Sequence, residues 1–288
     1  MTAPRTLLAI LAIVCTVQTL DSQVSVFSSR IDVVRINALV TSRGQPVQGL
    51  EAGDFEVRDN GVLQDVELVG PEQTVTNVVL GVDVSASVSG ERLQHLQEAG
   101  RALLNQLTRG DRAALVTFSQ QVRLEQQLTD DVSRVRERLD AVTTSRGTAL
   151  ADGTYVAIAA AGEHSGRNAV ILFCDGVDTD SWLTAETVTE TVRRSDVVVY
   201  GVTIGGRHRP TFLRTVSENT GGSLIEIEST QDLSRAFLQI LEELRRRYLI
   251  SYVPRGVSPS GSHRIDVRVK NRSATVRARA EYRAGASP

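Results

Sequence analysis

Lysine is almost missing from this sequence. Cysteine occurs twice, histidine four times, tryptophan and methionine once each, and aromatic residues fill only 4% of 288 positions. These scarcities exclude whole classes of function. The 32 basic residues are nearly all arginine and face 34 acidic ones, so the formal charge of −2 offers no electrostatic case for wholesale nucleic-acid binding. His95, His164, His208 and His263 are scattered over helix, loop and turn patterns and read as surface residues rather than catalytic bases. The chain has no GxSxG, P-loop, GxGxxG or HExxH motif, so no reaction class announces itself. Beyond the N-terminus, no apolar run is long enough to cross a membrane.

The N-terminus itself, MTAPRTLLAILAIVCTVQTLDSQ, carries one arginine and then an unbroken apolar run from Leu7 to Cys15. Spanning hydrocarbon takes about 20 residues. A charged start, a short apolar core and polar residues after it instead read as a secretory signal over residues 1–22, with cleavage near Ser22. A buried N-terminal helix is the alternative. Ile13-Val14, where small residues would precede a lipid-modified cysteine, argue against anchoring at Cys15. The expectation is a secreted or periplasmic protein. Once the signal is removed Cys174 is the only cysteine left, so stability must come from the core or from bound metal.

From Asn77 to about Tyr248 strand-like and helix-like patterns alternate. The strand candidates are Val78–Val84, Arg112–Phe118, Val122–Gln126, Ala169–Cys174, Val197–Ile204 and Ser223–Ile227. Between them, Leu93, Leu96, Gly100, Leu103, Leu104 and Leu107 share one helical face, and Val132, Val135, Leu139 and Val142 another. Leu233, Ala236, Phe237, Ile240, Leu241 and Leu244 hold the cleanest 3.6-residue period, and Arg245-Arg246-Arg247 after them read as a solvated end suited to the helix dipole. Runs such as VILFC and VVVYGVTI are apolar on both faces, as strands covered by helices on each side must be. The fold class is therefore α/β over residues 75–248: a doubly wound, mostly parallel sheet flanked by helices.

The flanks alternate with period two instead. Residues 24–74 contain a hairpin signal at Asp59-Asn60-Gly61, and residues 249–284 contain HRIDVRVKN and ATVRARAEY. Neither flank can bury a core alone, so the two are expected to pair into one small β domain. A hairpin of the last two segments would gather Arg264, Arg268, Lys270, Arg277 and Arg279. Period-two alternation in a half-exposed sheet produces the same pattern.

In an open α/β sheet, ligands bind outside the carboxyl ends of the strands where the strand order reverses. Asp83 leaves the first strand at that end, with Ser85 and Ser87 at the next alternate positions. Thr148, in Arg146-Gly147-Thr148, precedes a helix around Ala151–Ala161. Asp175 follows the fourth strand, which a doubly wound sheet places beside the first. All five are hard oxygen donors, which favour Mg²⁺, Mn²⁺ or Ca²⁺ over zinc or copper. The bland alternative is that they cap loops and helix starts.

Asp83-x-Ser85-x-Ser87, then Gly147-Thr148, then Asp175-Gly176 resembles the metal-ion-dependent adhesion site of the von Willebrand factor type A family. Gly110-Asp111-Arg112, Val116-Thr117-Phe118-Ser119 and the terminal amphipathic helix agree with it. The flanks, with Asp54-Phe55 before and Tyr248-x-Ile250-x-Tyr252-x-Pro254 after, more loosely resemble a bacterial exported group related to that family. The resemblance implies that the hydroxyls of Ser85, Ser87 and Thr148 contact a cation directly, while Asp83 and Asp175 act largely through water or in exchange with Thr148. A dication with so few anionic ligands stays electrophilic and attracts an Asp or Glu carboxylate of a partner protein. Arg146 stands where the family has glycine. Its guanidinium either weakens metal binding or helps hold an acidic partner.

Three readings compete. The first is a non-enzymatic exported protein that recognises an acidic partner residue through its metal. The second is a structural scaffold whose metal site does not function. The third is a metal-dependent hydrolase, for which no general base stands out. Cys174, inside VILFC, reads as a buried small hydrophobe rather than a nucleophile.

Overall fold

The computed structural model describes residues 33–69, 75–162, 164–175, 177–205, 210–270 and 273–285. The expected signal peptide, the start of the N-terminal β segment, Gly176 and His208 lie outside the described residues. The N-terminal flank supplies strands β1 (Val34–Ser42), β2 (Gln45–Pro46), β3 (Phe55–Asp59), β4 (Val62–Gln64) and β5 (Glu67–Val69). The α/β region follows as β6 (Thr76–Asp83), α1 (Glu91–Gln106), β7 (Arg112–Phe118), β8 (Val122–Thr129), α2 (Val132–Asp140), α3 (Leu150–Ala161), β9 (Arg167–Phe173), α4 (Ala185–Arg194), β10 (Val198–Ile204), α5 (Thr211–Asn219), β11 (Leu224–Ile227) and α6 (Leu233–Arg245). The C-terminal flank adds β12 (Tyr248–Tyr252), β13 (Gly261–Val269), β14 (Thr275–Arg277) and β15 (Glu281–Ala284).

The central sheet has the order β11-β10-β9-β6-β7-β8. Its pairs are parallel except for β8, which runs antiparallel to β7. All eight residues of β6 are buried because helices cover both faces. Alternate side chains sort accordingly. Val78, Leu80 and Val82 pack with Leu96 and Leu103 of α1 and with Phe237, Ile240 and Leu244 of α6. Val79 packs in the opposite layer with Ala157 and Ile158 of α3. β6 lies between β9 and β7, so the chain order reverses beside it, as the doubly wound pattern requires.

The two flanks do pair, in two sheets. β1 joins β12 and β14 in the order β14-β1-β12-β5, with β2 at its side, and β13 joins β3 in the order β15-β13-β3-β4. Val34, Ile36, Ala38 and Val40 of β1 share a core with Phe55, Val57, Tyr248, Ile250 and Ile265. Asn60 and Gly61 make the β3–β4 turn with φ of 46° and 85°, the left-handed pair that a two-residue hairpin needs. The basic hairpin does not form. β13 pairs with β15 and β3, while β14 is drawn to β1, where its backbone completes that sheet. Arg277 is ion-paired to Glu243, and Arg279 donates to the Ser195 carbonyl, so the arginines serve separate contacts.

Two polar groups expected at the surface are buried. His263 donates from Nδ1 to Asp59 Oδ1 (2.7 Å), and the Tyr282 and Tyr252 hydroxyls donate to Asp59 Oδ2 (2.7 and 3.0 Å). Three donors satisfy one buried carboxylate, which is the condition for keeping it there. Replacing Tyr282 with Phe removes one of the three at almost constant shape. It is expected to cost about 1–2 kcal/mol in urea denaturation, and a loss below experimental error would show that the bond contributes nothing. Arg247 is the second. Far from ending a solvated helix, it is 0% exposed, donating to the Tyr200 hydroxyl (2.9 Å), the Asn37 carbonyl (2.9 Å), the Gly221 carbonyl and Glu243.

Candidate functional site

The site begins where β6 runs out of partners. Asp83 sits opposite Phe118 of β7 at the carboxyl edge of the sheet, and its side chain is fully buried. Beyond it Val84 N–H still donates to the Phe118 carbonyl (2.9 Å), and then Ala86–Val88 turn through a short 3₁₀ segment with Val88 buried as its anchor. The turn brings alternate side chains to one place, which the strand's own pleat would not. Ser85 N–H donates to Asp83 Oδ1 (2.7 Å), and Ser85 Oγ lies 2.8 Å from Ser87 Oγ. Ser87 Oγ–H in turn donates to Asp175 Oδ1 (2.6 Å). Four of the five sequence candidates therefore form one hydrogen-bonded chain across the ends of β6 and β9.

Thr148 arrives through its backbone. Ser145 N–H donates to the Val84 carbonyl (2.8 Å), Gln120 N–H to the Arg146 carbonyl (2.8 Å) and Ala149 N–H to the Ser119 carbonyl (2.7 Å), pinning residues 145–149 to the same edge. From the loop after β9, Asp180 Oδ2 and Thr179 Oγ1 accept from Thr148 N–H (3.0 and 3.1 Å). The glycine before it is required twice over. Gly147 has φ +72°, and a Cβ there would collide with the Asp180 carboxylate. Thr148 is buried, whereas Arg146 is exposed and makes no ion pair among the described residues.

The electrostatics are those of an under-neutralised pocket. Burial pushes the Asp83 carboxyl up to about 6 from its ordinary 3.8, against the hydrogen bonds from Ser85 and the Cys174 thiol, and the neighbouring Asp175 charge adds to the rise. Cys174 is buried as expected, and its Sγ–H donates to Asp83 Oδ2 (3.1 Å). Among the described residues one cation reaches the cluster: Arg92, in the first turn of α1, donates to Asp175 Oδ2 and to the Ser87 carbonyl (both 3.1 Å). Among the described residues no three His, Cys, Asp or Glu side chains gather as a metal cluster. The donor set is two carboxylates and hydroxyls, with no histidine, and that chemistry fits a hard dication better than zinc or copper.

Sequence reasoning missed Arg92, whose reach to Asp175 depends on the fold alone. It also missed Asp178-Thr179-Asp180-Ser181, a run of acids and hydroxyls that could have been read as a source of acceptors for backbone N–H groups. Asp178 Oδ2 and Ser181 Oγ both accept from Ala151 N–H at the start of α3 (2.9 Å each).

The model of the von Willebrand factor type A domain matches residues 77–239, more than half of the chain. An uncharacterized protein of Synechocystis sp. is 23% identical over 176 residues, which is 58% of this chain but 41% of that protein. The chain thus spans less than half the length of that relative. Among solved structures, a von Willebrand factor type A protein from Catenulispora acidiphila has a TM-score of 0.54 at 15% identity, covering 90% of this chain and 74% of that one. Proximal thread matrix protein 1 from the mussel byssus, with a zinc-occupied MIDAS motif, has a TM-score of 0.55 at 18% identity, covering 64% of this chain and 49% of that one. At these identities the likeness is one of fold.

Proposed function

The chain belongs to the von Willebrand factor type A domain family, and from that premise we propose that it is an exported, non-enzymatic interaction module that recognises an acidic residue of a partner protein through a divalent cation. Domains of this family are commonly interaction modules, often metal-dependent. Asp83, Ser85, Ser87, Thr148 and Asp175 would hold the ion, with Mg²⁺ favoured and Mn²⁺ or Ca²⁺ as alternatives. When bound, it supplies a Lewis-acidic position for an Asp or Glu carboxylate. The observation that carries the reading is the hydrogen-bonded chain Ser85–Ser87–Asp175, anchored by buried Asp83 at the strand switch. Around it the protein keeps Asp83 desolvated, orients its oxygens through Ser85 N–H and the Cys174 thiol, and fixes Thr148 through Asp180.

Export is supported by the charged start and short apolar run of residues 1–22. Among the described residues no helix is long and apolar enough to cross a membrane. Arg146, exposed and two residues before Thr148, would meet the partner's carboxylate in this reading. One observation favours the scaffold reading instead: the Arg92 guanidinium already neutralises Asp175. Pull-down from the native envelope in Mg²⁺ against EDTA, wild type against Asp83→Ala, separates the two. The proposal expects partner recovery that needs both Mg²⁺ and Asp83. Equal recovery in all arms would sink it and leave the scaffold.

A further inference from the structure

The only tryptophan of the chain, Trp182, is 94% exposed. Its loop is not loose. Asp152, in the first turn of α3, accepts from Trp182 N–H (3.0 Å) and Leu183 N–H (2.8 Å), and Asp178 accepts from Ser181 N–H (3.1 Å). Six side chains, Gln120, Val122, Asp152, Tyr155, Trp182 and Leu183, line much of a shallow groove of about 500 Å³ beneath the indole, and Tyr155 is itself 40% exposed. An exposed aromatic on a fixed stretch of backbone beside an open groove is the arrangement of an anchor, because the loop need not be ordered when something covers it.

The groove and the oxygen cluster share a framework. Asp180, two residues before Trp182, holds Thr148 N–H, and Gln120 N–H donates to the Arg146 carbonyl. Charge selects the occupant. Asp152 in the groove wall and Asp178 and Asp180 in the loop before Trp182 are held by backbone N–H groups without losing their charge, so a partner carboxylate must be met by a cation. Among the described residues, the exposed cation tied to this framework is Arg146, whose carbonyl accepts from Gln120 N–H and which makes no ion pair.

We propose that this groove is the second half of the partner site: it binds an apolar side chain of a partner-protein segment whose nearby carboxylate goes to the cation and Arg146. The carboxylate half rests on the function proposed above, while the groove half rests on Trp182 and its fixed loop. Such a segment is acidic and apolar within a few residues, a narrower class than any exposed Asp or Glu.

Trp182 reports on its own occupancy, since no other tryptophan contributes to the emission. The test titrates the full chain with capped synthetic peptides carrying one glutamate and one phenylalanine separated by glycine spacers of increasing length. Controls replace the phenylalanine by glycine or the glutamate by glutamine, each in Mg²⁺ and in EDTA. At the matching spacer the phenylalanine peptide is expected to shift Trp182 emission and to bind about tenfold or more tighter than its glycine control. Trp182→Ala, a surface change that leaves folding intact, should erase that gain, read by calorimetry, and keep the Mg²⁺-dependent glutamate contribution. Equal affinities with and without phenylalanine at every spacer would overturn the groove, as would no saturable emission change, or a gain that survives Trp182→Ala. A phenylalanine gain that ignores both EDTA and the glutamine control would support the groove while removing the cation from the site.

Discussion

In EDTA at pH 8, Asp83→Asn is expected to be more stable than the wild type, and it should be the variant that Mg²⁺ fails to stabilise. The sign follows from burial. The carboxyl of Asp83 is raised from 3.8 to about 6, so the folded, metal-free protein holds the proton more tightly than the unfolded chain does. For an acid whose folded pKa is raised, stability is complete below the unfolded value and is lost as pH rises through the folded one. Between about pH 4 and pH 6 the wild type therefore loses roughly 3 kcal/mol that the amide, which cannot ionise, keeps. Asparagine gives back about 1 kcal/mol, because its NH₂ faces a donor where the carboxylate accepted from Ser85 N–H or the Cys174 thiol. The net expectation is a gain of about 2 kcal/mol above pH 7, turning into a deficit of about 1 kcal/mol near pH 4.

Metal reverses the order. A cation binds the ionised form, so it offsets the desolvation cost and its affinity falls as pH drops below about 6. Mg²⁺ at about a hundred times its Kd would stabilise the wild type by roughly 2.7 kcal/mol and leave Asp83→Asn unchanged. Urea denaturation of both proteins at pH 4, 6 and 8, with Mg²⁺ and with EDTA, reads all of this. Equal Mg²⁺ effects on the two proteins would mean that Asp83 is no ligand. A wild type as stable at pH 8 as the variant would mean that its burial carries no cost.

The largest loss of stability is expected at Arg247→Met, about 3–5 kcal/mol by the same measurement. The guanidinium joins four separate pieces of chain: β10 through the Tyr200 hydroxyl, β1 through the Asn37 carbonyl, the turn after α5 through the Gly221 carbonyl, and α6 through Glu243. Burial alone would raise the Glu243 carboxyl, yet Arg247 and Arg277 together hold it below its usual range. Methionine fills most of the volume but strands the Asn37 and Gly221 carbonyls in the interior, while Glu243 keeps Arg277 and the Tyr200 hydroxyl. Arg247→Lys keeps the charge without the planar fork and should fall between the two. Adding Glu243→Gln to Arg247→Met should recover nothing, since Arg277 and the Tyr200 hydroxyl still hold the carboxylate and the amide gives up that ion pair. A cost below about 1 kcal/mol for Arg247→Met would show that solvent or neighbouring groups replace the guanidinium freely.

The contrast between these two residues marks what could be read in advance. Asp83 was visible because strand and ligand positions are both periodic. An apolar run, VVLGVD, announces a strand covered on two sides, and three oxygen-bearing side chains at every second position end it where such sheets bind ligands. The faces of α1, α2 and α6 were legible for the same reason, since burying an apolar stripe depends on local spacing. The strand ends were less so. The observed β6 starts at Thr76 and β8 continues to Thr129, because partner strands rather than composition decide where pairing stops.

Arg247 and His263 carry no comparable signal. Arginine at a helix end reads as solvated, and it is buried here only because carbonyls from Asn37 and Gly221 come from far along the chain to receive it. His263 is buried by Asp59, more than 200 residues away in sequence. The same holds for β14, whose alternation predicted a strand but not that β1 would take it from β13. By itself the sequence determined the parallel α/β core, the pairing of the flanks and the oxygen residues at the sheet edge, because hydrophobic period and turn chemistry act over short stretches. Only the tertiary structure decided which polar groups are buried, where Arg92 and Trp182 stand, and which strands share a sheet, because each of those depends on partners that folding alone brings into reach.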